Sequence, residues 1–202
     1  MARAGLTRAS VVAQAALLAD EVGLERLTLA ALAARLNVAL PSLYKHVRNL
    51  DHLLQQVASV GTAQLAVVLV DAVAGRSRTD AVRALADAYR TFARAHPGRY
   101  QAAQRVPDPS DPEHVEAGER SVGVLFAVLR GYGLAGDDAV DAARALRAGL
   151  HGFVSLELAG GFGLPVDVDR SFRQLVTALE RALADWPSTV DRAPRPRTAQ
   201  TT

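Results

Sequence analysis

Residues Thr28–Leu50 read TLAALAARLNVALPSLYKHVRNL, two short apolar-patterned runs separated by a turn. Thr28 directly precedes an Ala/Leu run and is suited to cap a helix, because its hydroxyl can accept an unpaired backbone N–H. The run ends near Leu36, and Asn37 tolerates the left-handed backbone that a tight turn requires. A second helix is predicted over Leu40–His46, with Pro41 harmless in its first turn. Leu43 and Val47 are spaced to face inward beside Leu32 and Leu36. Leu40, Pro41, Ser42, Lys45 and His46 face outward, Tyr44 points sideways, and Arg48 follows the helix.

A helix, a short turn and a second short helix make a helix-turn-helix. The second helix of such a pair enters a DNA major groove, which is about 12 Å wide. Base edges are met by the leading residues of that helix, and flanking hydroxyls and cations hold phosphates and fix the register. Tyr44 can offer its hydroxyl to a phosphate and Arg48 its guanidinium. The helix N-terminus at Thr28 is itself an anion site. A solvated surface helix explains each of these residues singly, but not the caps, the turn and the apolar anchor together.

The flanking sequence extends the helical pattern. Thr7 or Ser10 caps a helix running to about Val22, and Gly23 stops it. Asn49 caps a long helix over about Leu50–Ala74, with Leu53, Leu54, Val57, Gly61, Leu65 and Val68 on one face. Thr79 or Asp80 opens the next, ending before Pro97, and PGRY restarts a short helix to about Arg105. After the proline-rich VPDPSDPE loop, helices are predicted over about Glu113–Arg130, Asp138–Ala159 and Val168–Trp186. The apolar side of the first carries Val115, Val122, Leu125, Phe126 and Leu129. The reading is an all-α chain: an N-terminal three-helix DNA-binding domain over 1–48, a helical regulatory and dimerisation domain over 49–186, and a disordered tail from Pro187.

Composition agrees with that reading and narrows the function. Half of the 202 residues are apolar and only 5% are aromatic, so Ala, Leu and Val fill the core, which favours helices. The formal charge is +2, too small for a general polyanion binder, so any nucleic-acid contact is local. Lys45 is the sole lysine. Absence of cysteine removes disulfides and thiolate metal sites. The start MARAGLTRAS lacks a signal-peptide core. The apolar run AQLAVVLV falls short of the ~20 residues that cross a bilayer. These features point to a soluble cytoplasmic protein with no membrane contact and no cofactor.

The segment from Leu6 to Leu54, including its L-Y-x-H core at Leu43–His46, resembles the DNA-binding domain of the tetracycline-repressor (TetR) family. The resemblance implies an all-helical homodimer that binds a double-stranded DNA operator, usually as a repressor released by a small-molecule effector. By the same resemblance Thr28 and Tyr44 are phosphate contacts, and Leu40, Pro41, Ser42, Lys45 and His46 lie on the DNA-facing side. Many members carry Lys where this chain has Leu50; Arg48 is placed to compensate. HPGRYQAAQR and RAGLHGFVSLELAGGFG further resemble a regulatory-domain subtype with a His-Gly pair in its penultimate long helix.

For the effector site, Phe92, Tyr100, Phe126, His151 and Phe153 are the candidate lining residues, with Tyr132 and Phe162 beside them. His151 either orients a ligand, whose binding its near-neutral titration then makes pH-sensitive, or is a core histidine. Ala145, Gly149 and Gly152 form a small-residue stripe that, with the last helix, either packs the chain's own core or builds a dimer interface. Two rival functions fit the sequence less well. An enzyme needs His96, His114 and His151 to meet Glu116 or Glu157 around a metal, yet no pair has metal-site spacing. A helical small-molecule-binding protein with a weakened DNA module is at odds with the intact turn and caps.

Overall fold

The computed structural model describes residues 6–187. The tail expected from Pro187 lies, past Pro187 itself, outside the described residues. Within them every regular element is helical: α1 Arg8–Val22, a 3-10 turn Leu24–Arg26, α2 Leu29–Leu36, α3 Leu40–Leu43, α4 Leu50–Val73, α5 Arg78–Ala95, α6 Pro97–Ala102, α7 Pro112–Arg130, α8 Gly136–Leu158 and α9 Val168–Ala184.

The N-terminal helix ends are fixed by local chemistry. Thr7 and Ser10 form a reciprocal capping box at α1, and Gly23 closes that helix with φ 90°. Thr28 Oγ1 accepts from Ala31 N at 3.0 Å. Asn37 adopts φ 52°, ψ 48° at the end of α2, and Asn49 Oδ1 accepts from His52 N at 2.8 Å to start α4. Two expected elements change. The second helix of the pair is a single turn ending at Leu43, and Tyr44–His46 continue as a tighter turn, with His46 N donating to Leu43 O at 2.8 Å. Tightening there lets Val47 reach the core, at 2% exposure, before Asn49 begins the next helix. The helix after α4 opens at Arg78, not at Thr79 or Asp80, with Arg78 at φ 50° and its guanidinium 5.3 Å from the Tyr132 ring.

The apolar interior divides into two clusters that share α4. The first gathers α1, α2 and α3 around Leu53, Val57 and Ala58 of α4 and Ala102 of α6. The second gathers α5, α7, α8 and α9 around Leu65 and Leu69 of α4. The expected inward face of α4 slips at its C-terminal end, where Val68 is 37% exposed and Leu69 is buried. On α7, Val122 is exposed and His114, Val124 and Val128 are buried. As a whole, α4 is long and apolar enough to cross a bilayer; here its buried part, Leu53 to Leu69, serves the two clusters.

The clusters are clamped together where α6 meets α1. Asp20 receives the backbone N–H of Arg99 at 2.9 Å and its Nε at 2.7 Å, while Arg99 Nη1 reaches Gln64 of α4 at 2.7 Å. Arg90 of α5 ties the far end, donating to Glu157 of α8 and Asp169 of α9.

Candidate nucleic-acid interface and effector cavity

The single turn of α3 is anchored by Leu43, fully buried, and Val47, packed with Leu32. On the other side Leu40, Pro41, Tyr44, Lys45 and Arg48 are exposed, Tyr44 by 54%, and Ser42 and His46 are half-exposed. The expected DNA-facing residues are therefore brought together on one short segment. Thr28 is exposed at the start of α2. Its oxygen is used by the Ala31 amide, which leaves the O–H to donate. Among the described residues no carboxylate bridges Lys45 or Arg48, so both charges face solvent. Leu50 is half-buried against the N-terminal cluster. Arg48 N–H donates to His52 Nδ1 at 3.2 Å, which fixes the exit from the turn.

A cavity of about 560 Å³ lies in the second cluster between α4, α5, α7 and α8, with Ala103, Gln104, Arg105 and Pro107 on its wall. Its size and mostly apolar wall suit a small organic molecule. Of the five expected lining residues Phe126 is on the wall. Tyr100 and Phe92 are buried in the core behind it. Tyr100 OH stands 3.1 Å from the hydroxyl of Tyr89, which does line the cavity, and 2.7 Å from His151 Nδ1. Phe153 stacks with Phe162 and Phe172 at centroid distances of 4.7 and 5.2 Å, toward α9. Tyr132 meets Arg78 at the far end of α7.

Sequence reasoning missed the polar part of the wall. His114 is fully buried, with Nε2 3.2 Å from Thr62 Oγ1, and its Nδ1 has no partner among the described residues. Arg105, Gln104 and Arg147 line the same space. No pattern in a single sequence marks these residues, because they come from α4, α7, α8 and a loop. The histidines and glutamates weighed for a metal do not meet: His96 pairs with Arg99, His114 with Thr62, His151 with Tyr100, and Glu157 with Arg90.

His52, His114 and His151 are all held below the ordinary histidine range, in each case first because burial disfavours the charged ring. Arg147 adds to the effect at His151. Both causes push the His151 titration downward. The folded chain therefore binds protons at these rings less readily than the unfolded chain, which takes them up below about pH 6.5. Stability then falls as pH drops through that value, until the depressed folded-state titrations are reached. Urea unfolding is expected to show this loss between about pH 7 and pH 5, and His114→Gln should reduce it in part, His52 and His151 supplying the remainder. A level profile in the parent chain contradicts the assignment.

Residues 82–179 match the family described as tetracyclin repressor-like, C-terminal domain. The chain is 40% identical over 177 residues to an HTH-type transcriptional regulator of Mycobacterium tuberculosis, Rv0681, spanning 87% of this chain and 81% of that one. It is 35% identical over 167 residues to the HTH-type transcriptional regulator YobS of Bacillus subtilis, spanning 82% and 86%. The solved structure of a TetR variant from Acinetobacter baumannii AYE, in complex with minocycline, matches with a TM-score of 0.70 and 24% identity over 92% of this chain and 100% of that chain, a likeness of fold. With an exposed helix-turn-helix on an all-helical body and two relatives at this level of identity, the chain belongs to the tetracycline-repressor family of helix-turn-helix transcriptional regulators.

Proposed function

We propose that this regulator is a cytoplasmic homodimeric repressor that leaves its operator when a small molecule fills the cavity between α4, α5, α7 and α8. The observation that carries the reading is the exposed polar segment Leu40–Arg48 on a fully buried Leu43 anchor. Thr28, Tyr44 and Arg48 hold phosphates. Leu40, Pro41, Ser42, Lys45 and His46 face the groove. The DNA-binding unit is 1–48, and 49–186 binds effector and partner.

A dimer follows from recognition geometry, since two half-sites in successive grooves need reading segments roughly 34–36 Å apart. The outer surface of α8 and α9 supports it. Ala145 is exposed, Gly152 has open space where a Cβ would stand, and Leu156 is 52% exposed. Gly149 turns instead toward Leu179 of its own chain, 3.3 Å from a Cβ placed there. Effector binding shifts α4, which belongs to both clusters, and so changes the spacing of the two reading segments.

The test is binding to the chain's own promoter region in rising salt. Affinity should be high and fall steeply, because several phosphate counterions are displaced. Lys45→Ala should weaken binding and lower the salt slope by about one unit. Tyr44→Phe should weaken it at every salt concentration, and light scattering should show both variants as dimers. If both bind like the parent, the assigned DNA face is wrong. Weak, sequence-blind binding by the parent would favour a helical ligand-binding protein with a decayed DNA module.

A further inference from the structure

Arg105 touches two places at once. Its Nη2 donates to Asp51 Oδ1 at 2.5 Å, in the first turn of α4 and directly after the DNA-facing segment. Its side chain also lines the cavity, and its Nε is buried with no hydrogen-bond partner. The Arg105 side chain is 32% exposed overall, so the unmade bond is confined to its Nε, and a buried donor left unpaired is costly. His114, fully buried in the same wall, has a second polar atom, Nδ1, without a hydrogen-bond partner among the described residues. Arg147 brings another guanidinium to the lining from α8. Among the described residues Glu119 is the sole acid of the lining, and it lies exposed on α7. Much of the remaining wall is apolar, from Leu65 and Leu69 of α4 to Leu125 and Phe126 of α7.

We propose that the cavity takes an organic anion, an apolar body with a carboxylate-like head group that Arg105 receives with His114 and Arg147 beside it. The inference rests on reading this cavity as the effector site. A guanidinium pairs a carboxylate through two parallel N–H bonds, which a neutral alcohol cannot reproduce and an amine opposes. The head group competes with Asp51 for the same guanidinium. Filling the cavity therefore draws Arg105 from α4 and frees the helix turn that follows Arg48 and Asn49. The cavity and the DNA face are linked through one side chain.

Calorimetric titration of the full chain with decanoate, 2-naphthoate, and the matched alcohols and amines tests this. At least one acid should bind roughly ten-fold or more tightly than its alcohol, with the amine weakest, and should weaken binding to the promoter fragment. Arg105→Gln should collapse the acid preference, Arg105→Lys should keep part of it, and thermal melts of both confirm folding. If acid and alcohol bind alike and Leu125→Trp abolishes both, the anion assignment falls and the cavity reading stands. If no probe binds, both fall. An acid preference that survives Arg105→Gln removes Arg105 from the site, and undiminished promoter binding by the acid-loaded chain removes the Asp51 link.

Discussion

Alanine at position 98 is expected to separate the DNA-binding module from the body of the protein. A Cβ built on Gly98 falls 2.2 Å from both the carbonyl carbon and oxygen of Ala19 and 2.6 Å from the Asp20 nitrogen. All three are backbone atoms, so no rotamer change relieves the clash, and α6 must lift from α1. The same movement pulls the Arg99 amide and Nε from Asp20. Gly61 of α4 closes the other side, because a Cβ there would meet Arg99 O at 2.5 Å. Overpacking of this kind costs about 3 kcal/mol at its upper end. If the whole cost falls on the docked arrangement, promoter affinity drops by roughly 100-fold. Gly123→Ala is the matched control, since nothing lies within 4 Å of its Cβ and α7 gains helix propensity. That variant should be more stable than the parent by about 0.5–1 kcal/mol. Urea unfolding and promoter titration of the pair decide the matter: equal behaviour of the two alanines would mean that α6 has slack against α1.

The part of this architecture that could be read from the chain is the part governed by neighbours in sequence. Thr28, Asn37 and Asn49 act within four residues of themselves, and each performs the expected cap or turn. Leu43 and Val47 are buried as their spacing required. Reading weakened where distant segments compete. A helix serving two cores cannot keep one straight face, so α4 buries Leu69 and exposes Val67, Val68 and Val70. The cavity was harder still. Aromatic side chains drew attention to Phe92, Tyr100 and Phe153, yet large rings fill cores, and those three lie in the core or against α9. Open space arises instead beside small residues of α7, where Gly118, Ser121 and Gly123 line the wall. Gly98 carries no local signal at all. Its role exists only because the backbone of Ala19 passes beside it.

Removal of the Arg90 guanidinium is the second large effect to expect. Arg90 is 11% exposed and donates through Nε and Nη2 to the two oxygens of Glu157, itself 17% exposed, at 2.8 and 2.5 Å. It also reaches Asp169 at 2.7 Å and lies 4.6 Å from the Phe172 ring. These contacts hold its proton even more firmly than an ordinary arginine, first through Glu157. Three helices, α5, α8 and α9, meet at this one side chain. Arg90→Met leaves Glu157, 17% exposed, charged with its partner gone, at a cost of about 3 kcal/mol. For a chain of this length that is a fall of about 6–12 °C in Tm. Asp169, more than half exposed, is rehydrated and adds little. The decisive comparison is Arg90→Met with Glu157→Met, which removes both charges and keeps the volume. The double variant should recover to within about 1 kcal/mol of the parent, because replacing a buried ion pair by apolar side chains is often neutral. A single variant as stable as the parent would show that water already screens Glu157. A double variant no better than the single would show that α8 and α9 are held here by directed bonds rather than by packing. Because α8 and α9 also carry the proposed dimer face, the single variant should populate more monomer in sedimentation, and the double variant should return it to dimer.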